Sequence, residues 1–312
     1  VQVGLFGGTG FVGSYLVDAL VAAGHRPSLL VRAGSEDRVR HADACRIVEG
    51  RIDEASAVEE ALRGCEAAIY NIGILREYPS RGITFHGLQF EGARTAIDAA
   101  VRARVDRFVL MSANGVEARS TPYQETKFRA EQHLATSGLA GTVFRPSVVF
   151  GDPRGRMEFC TQLARDMIRP PIPAPNFFTG WSPARGGFAM SPVHVEDVAA
   201  AFVRALEMAD TVGGCYPLCG PEALPWPGII RRIAAACGRR KLILPAPVAP
   251  IRLLAALLDR FEFFPVTRDQ LTMLVQGNSG DSDVVFRLLD IQPRKFVVDE
   301  LDYLRESQAP GR

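Results

Sequence analysis

The chain has 312 residues, 47% of them hydrophobic and 23% charged, which is enough apolar material for one large domain or a domain with a smaller lobe, and which excludes a disordered chain. Thirty-six basic against 35 acidic residues leave a formal charge of +1, so there is no electrostatic footprint for nucleic acid and a small molecule is the expected ligand. The six cysteines, Cys45, Cys65, Cys160, Cys215, Cys219 and Cys237, lack the Cys-x-x-Cys spacing of a metal site and are expected as reduced thiols, with no metal bound.

In chain order, an apolar strand pattern begins at Val1–Phe6 and runs straight into glycines, so no secretory signal is expected there. No apolar stretch reaches the length of a membrane span. Strands are expected at Val3–Phe6, Ser28–Val31, Ala67–Tyr70, Phe108–Met111 and Thr142–Phe144. Helices are expected at Phe11–Ala23, Ala55–Leu62, Phe90–Ala103 and Thr126–Ala135, from apolar residues three and four apart. This alternation implies βαβ units, a parallel sheet and helices on both of its faces. Beyond Gly151 the texture changes: Arg169–Pro175 carries four prolines and Asn176–Gly187 mixes aromatics with glycine, as a long functional loop would. Pro192–Met208 reads as a strand end and a helix that return to the first domain, with Asp197 as a helix cap. The expected division is a dinucleotide-binding domain over residues 1–165 and 188–210, and a smaller C-terminal lobe over 166–187 and 211–312.

Two motifs carry chemistry. Gly7, Gly10 and Gly13 stand at three-residue intervals between the first strand and the first helix. Gly7 permits the tight turn, Gly10 lets a pyrophosphate approach the backbone, and Gly13 lets helix and strand pack closely. The amides of Phe11 and Val12 then face the phosphates. The second strand ends at Arg32, where an NAD site usually carries an acid; an arginine there favours the 2′-phosphate of NADP(H), with NAD(H) as the alternative if Glu36 or Asp37 binds the ribose and Arg32 is merely solvated. The second motif is Tyr123-x3-Lys127, four apart at a helix start and on one face. A nearby ammonium is expected to lower the phenol's pKa and suit Tyr123 to proton exchange, while Lys127 reaches the nicotinamide ribose.

Together these residues resemble the extended or atypical short-chain dehydrogenases/reductases, which include epimerase/dehydratase-like proteins. The resemblance rests on Gly7-x-x-Gly10-x-x-Gly13, Asn71-Ile72-Gly73, Met111-Ser112-Ala113, Tyr123-x3-Lys127, Arg145-Pro146-Ser147 and Pro192–Val198. Gly73–Glu77, Phe144–Gly151 and Thr267–Leu271 are similar to the branch that contains the nucleotide-binding accessory subunit of respiratory complex I. The resemblance implies an α/β fold, a doubly wound Rossmann-like parallel sheet with a smaller C-terminal substrate lobe. It places Thr9, Phe11 and Val12 along the pyrophosphate, Arg32 at the 2′-phosphate, Ile52 at the adenine, Asn71, Ile72 and Gly73 beneath the middle of the cofactor, and Pro146, Ser147 and Val148 beside the nicotinamide. Two positions depart from the family pattern. Arg51 stands where aspartate is common near the adenine, able to stack on the ring or strengthen phosphate binding, and Ala113 stands where a hydroxyl usually assists the tyrosine, leaving Ser112 one residue early.

The expected function is an NADP(H)-dependent oxidoreductase acting on an apolar carbonyl or quinone-like substrate, with Tyr123, Lys127 and Ser112 as catalytic residues. The alternatives are a cofactor-holding structural or assembly subunit of a respiratory or membrane-associated complex, and a nucleotide-sugar epimerase or dehydratase. The expected location is cytoplasmic, with a position peripheral to the inner membrane if the complex reading holds. His194 is expected to be structural. Phe177, Phe178 and Trp181 either wall a substrate pocket or pack the lobe, and the apolar stretch Pro250–Phe264 is either core or a partner or lipid surface.

Overall fold

In the computed structural model, residues 1–180, 187–250 and 268–306 are described. They divide into two units, Val1–Pro146 with Val195–Leu218 and Ser282–Gln292, and Ser147–His194 with Cys219–Asp281 and Pro293–Arg312.

The first unit alternates β1 (Gln2–Phe6), α1 (Phe11–Ala22), β2 (Arg26–Val31), β3 (Arg46–Glu49), α2 (Ala55–Leu62), β4 (Ala67–Tyr70), α3 (Gly92–Ala103), β5 (Arg107–Met111), α4 (Pro122–Thr136) and β6 (Ala140–Pro146), and later adds α6 (Val195–Glu207) and β11 (Cys215–Leu218). Its seven strands lie in the order β11-β6-β5-β4-β1-β2-β3. Every pairing is parallel, from Val31↔Glu49 at one edge through Leu5↔Leu29 and Leu5↔Ile69 at the centre to Tyr216↔Phe144 at the other. The order reverses between β1 and β4, and in doubly wound sheets that crevice at the strands' C-terminal ends is where ligands bind. The expected Rossmann-like fold is therefore the observed one. Phe6, Tyr70, Phe108, Ile97 and Leu62 are buried on one side of the sheet with α2 and α3. On the other side α6 packs along α1.

Two strands lay outside the periodic pattern. Arg46–Glu49 is an edge strand whose residues are alternately exposed, and Cys215–Leu218, the opposite edge, carries Pro217, a residue that only an edge accommodates. Helix α4 begins four residues before the expected start. Thr121 caps it, its hydroxyl accepting from the Gln124 N–H at 3.4 Å, while Gln124 returns to the Thr121 N–H and Pro122 takes the first helical position. Before α3, residues His86–Glu91 form a turn of π-helix. Asp197 stands inside the first turn of α6, not before it, so its charge meets the helix's positive end as a side chain of the first turn, not as the cap.

The second unit holds β7 (Val149–Phe150) paired with β10 (Val193–His194), β8 (Ala174–Phe178) paired with β13 (Ile243–Pro247), β9 (Ala189–Met190) paired with β12 (Leu224–Pro225), and helices α5 (Phe159–Leu163) and α7 (Trp226–Ala236). Its core gathers Phe150, Phe177, Phe188, Trp226, Ile230, Ile233, Phe296 and Leu304. Phe177 and Phe188 both pack against Trp226, whose Nε1–H donates to Pro175 O at 2.8 Å. Phe177, 6% exposed, serves this core, and Phe178 is buried at 9%; Trp181 and residues 251–264 lie outside the described residues.

Candidate nucleotide site

The strand β1 delivers the chain into the glycine turn at the reversal point of the sheet. Gly7 has φ +95°, a left-handed conformation that side chains rarely adopt, and a β-carbon there would meet the Asn71 carbonyl at 3.1 Å. At Gly13 a β-carbon would lie 2.0 Å from Gly7 O, so α1 rests directly on the turn. Gly10 is different: a β-carbon there would meet only Gly7 O, at 3.3 Å, with open space beyond. Gly10 is also the N-cap of α1 and gives it no side-chain cap, and the first turn carries no acidic residue. The first amides of a twelve-residue helix therefore point out over an exposed glycine, with the helix dipole adding positive potential. That cradle could hold a pyrophosphate, and Thr9, Phe11 and Val12 are half-buried beside it.

Arg32 is exposed just past β2 and makes no ion pair among the described residues. Arg51 is also exposed, but its Nε and Nη2 donate to the two carboxylate oxygens of Asp53 at 3.0 and 3.1 Å. That pairing raises the guanidinium and holds the Asp53 carboxyl below its ordinary range. Ile52, between them, is 7% exposed and joins the core with Phe6, Val58 and Tyr70.

On the far side of the reversal point Asn71 extends β4, its N–H donating to Phe6 O at 2.9 Å. Lys127 Nζ donates to Met111 O at 2.9 Å and Ile72 O at 3.3 Å, and it stands against Gly73. Tyr123, one turn earlier on α4, is half-buried with its ring edge-on to Phe85 at 5.6 Å. The Asn71–Gly73 loop, the end of β5 and the Tyr/Lys face of α4 are thus brought together. One expectation is overturned. Burial pushes the Tyr123 phenol up to about 12, and Lys127 does not lower it; burial also pushes the Lys127 ammonium down to about 8, opposed by the Glu131 carboxylate. Two of the ammonium's three N–H groups go to backbone carbonyls, and desolvation outweighs any through-space help it gives the phenol. At neutral pH this phenol is protonated and suits a proton donor.

Ser112 is 4% exposed; its N–H donates to Phe144 O, and its Oγ is a buried polar atom with no partner among the described residues. Pro146 closes β6, its carbonyl accepting from the Asn114 N–H at 2.8 Å. Ser147 and Val148 fall in the second unit, where the Ser147 hydroxyl donates to Ser191 O. Sequence reasoning missed four supports. Phe85 is brought onto Tyr123 beside the π-turn, and Gln89 donates to Ile74 O at 2.8 Å while accepting from Thr126 at 3.1 Å. Glu131 is bound through both oxygens by Arg145. Asp53 holds Arg51. Of these only Glu131, four residues after Lys127 on one helical face, and Asp53, two after Arg51, left a signal in spacing.

A reversal-point glycine turn, an uncapped helix start and an adjoining Tyr/Lys helix define a Rossmann-type dinucleotide-binding protein with the site layout of the short-chain dehydrogenases/reductases. The chain belongs to the NAD(P)H-binding family whose model matches residues 7–168. It is similar to the mitochondrial NADH-ubiquinone oxidoreductase 40 kDa subunit of Neurospora crassa, 24% identical over 310 residues, covering 96% of this chain and 78% of that one. A ceramide reductase of Caulobacter vibrioides is 27% identical over 267 residues, 82% of this chain and 77% of that one. The crystal structure of a UDP-glucuronic acid 4-epimerase from Bacillus cereus in complex with NAD superposes with a TM-score of 0.73 at 14% identity, covering 98% of this chain and 96% of that one, a likeness of fold. Among the described residues no helix is long and apolar enough to cross a membrane, and no group of His, Cys, Asp and Glu could hold a metal.

Proposed function

We propose that the chain is an NADP(H)-dependent reductase of an apolar carbonyl or quinone-like substrate. The observation that carries this is the Tyr123/Lys127 face: a phenol raised to about 12 by burial, beside a lysine anchored to Met111 O and Ile72 O. The bound cofactor would supply hydride. The chain's own residues do the rest: the Gly7–Gly13 turn and the α1 amides hold the pyrophosphate, Arg32 meets the 2′-phosphate, and Asn71, Ile72 and Gly73 run beneath the middle of the cofactor. Lys127 orients the ribose hydroxyls, Tyr123 Oη gives its proton to the substrate oxygen, and Ser112 Oγ, which has no partner among the described residues, would steady that oxygen or the carboxamide. Pro146, Ser147 and Val148 would border the nicotinamide. The apolar substrate is supported by the relative that reduces ceramide. The expected division of the chain, 1–165 and 188–210 against 166–187 and 211–312, would give the cofactor to one domain and the substrate to the other.

A second reading has two observations in its favour. The relative spanning 96% of this chain is a subunit of a respiratory complex, and here Ala113 stands where a helping hydroxyl is usual. In that reading the nucleotide is held as a structural element at a membrane-associated complex and turnover is slight. The test is NADPH oxidation with long-chain ketones and short-chain quinones. Turnover that falls about 100-fold or more in Tyr123→Phe, with NADPH affinity kept, is the expected result. A wild type that binds NADPH and turns over none of them would shift the function to the second reading.

A further inference from the structure

Arg32 and Arg51 leave the sheet side by side. Strands β2 and β3 are parallel, Val31 is in register with Glu49, and the Gly50 N–H donates to Val31 O at 2.9 Å, so the residues after both strands emerge at the same C-terminal edge. The descent into α2 is fixed: a β-carbon on Gly50 would lie 2.4 Å from Ala57 Cβ, and the Glu54 carboxylate accepts from the Arg51 N–H at 3.2 Å. Ile52 turns inward to the core, so its neighbours Arg51 and Asp53 are both turned outward, where they meet as a parallel fork. Both partners are open to solvent, with 55% and 64% of their side chains exposed.

We infer that Asp53 is a specificity-determining residue that competes internally with the 2′-phosphate for Arg51, and so sets how strongly the site prefers NADPH over NADH. The inference rests on the NADP(H) reading of the site. An arginine fork binds carboxylate and phosphate oxygens with the same two parallel hydrogen bonds, so the two anions are interchangeable partners. An exposed carboxylate pair is weak, and a dianionic phosphate can displace it without burying an unpaired charge. The 2′-hydroxyl of NADH cannot, so with NADH the Arg51–Asp53 pair persists and leaves the adenosine end neutral at that point. Arg32, with no acid engaged on it, meets the phosphate directly, while Arg51 joins at a cost that Asp53 sets.

Calorimetry with NADPH and NADH on the full chain, in wild type, D53N, R51A, R51A/D53N and R32A, tests this. D53N is expected to tighten NADPH roughly two- to fivefold and to leave NADH within about twofold, because only the competing exposed pair is removed. The gain should vanish in the R51A background. No tightening in D53N, or the same tightening with Arg51 absent, would overturn the inference, the latter by showing a general loss of negative field. If R32A loses the NADPH preference while D53N changes nothing, the Asp53 inference fails and the NADP(H) reading stands. A wild type with no preference that R32A leaves unchanged defeats both.

Discussion

Single residues carry the sharpest consequences. At Gly10, a β-carbon would meet only the Gly7 carbonyl at 3.3 Å, with open space beyond and no packed core, and in the proposed reading that space is the phosphate's path. Gly10→Val should therefore keep its melting temperature while losing nucleotide affinity by about 100-fold or more, as calorimetry would read; undiminished binding by the folded variant would take the phosphate off this turn. His194 is a residue-scale case of the opposite kind. It is 6% exposed and edge-on to Phe150 at 5.1 Å, and burial, with Arg294 nearby, lowers its pKa from 6.5 to about 4 despite the Glu300 carboxylate 3.8 Å from its Nε2. The native state thus holds the ring neutral where the unfolded chain would protonate it. Stability contributed by the neutral ring is complete above pH 6.5 and is lost as pH falls toward 4, on the order of 3 kcal/mol. Urea unfolding at pH 7 and pH 4.5, followed by tryptophan fluorescence, should show that loss in wild type and much less of it in His194→Gln. Equal losses would assign acid sensitivity to other groups. The expectation that His194 is structural agrees with this surrounding.

Elements are held by side chains that sequence periodicity does not reveal. Arg107, the first residue of β5, is 7% exposed and has no carboxylate partner among the described residues; it donates to Ala205 O at 3.1 Å and to Thr211 Oγ1 at 2.6 Å, and also to Ala140 O and Thr142 Oγ1. One guanidinium therefore ties β5, β6, α6 and the turn before β11. Replacing it by methionine leaves several buried acceptors without donors, at about 1–3 kcal/mol each if water does not reach them. Partial relaxation should leave a net loss of about 2–4 kcal/mol, seen as a fall in Tm of roughly 5–10 °C by circular dichroism. An unchanged Tm would show that water replaces the guanidinium. The π-turn His86–Glu91 acts at the same scale. It sits where the chain brings Phe85 onto Tyr123, Gln89 between Ile74 and Thr126, and Phe90 into the core, so the loop after β4 and the Tyr/Lys helix share one set of contacts.

At the scale of the whole molecule, the first unit carries the glycine turn, Arg32, Arg51, the Asn71 loop, Ser112, Tyr123 and Lys127, while Ser147 and Val148 belong to the second. The sheet of the first unit is assembled from discontinuous stretches: α6 and β11 return after the chain has built β7 to β10 elsewhere. Nucleotide binding is therefore expected of the first unit's own residues, and the variants Gly10→Val, R32A and D53N act inside it. The aromatic residues Phe177, Phe188 and Trp226 close the second unit's core, so of the two roles open to Phe177 the packing one is filled. Membrane or complex partnership, by contrast, rests on relatives and on chemistry that the turnover assay separates.

The sequence by itself determined the parallel α/β fold, because buried central strands and amphipathic helices write their periods directly into the order of apolar residues, and it determined the glycine turn between β1 and α1, because glycine satisfies the left-handed Gly7 and the close approach at Gly13. The edge strands Arg46–Glu49 and Cys215–Leu218 escaped, since a strand half in water has no apolar run to announce it. Only the tertiary structure decided that the Tyr123 phenol is raised and not lowered, that Lys127 is bound to two carbonyls, and that Asp53 occupies Arg51. The reason is common to all three: a pKa or an ion pair depends on desolvation and on neighbours brought from distant stretches, and the spacing of four residues on a helix fixes neither.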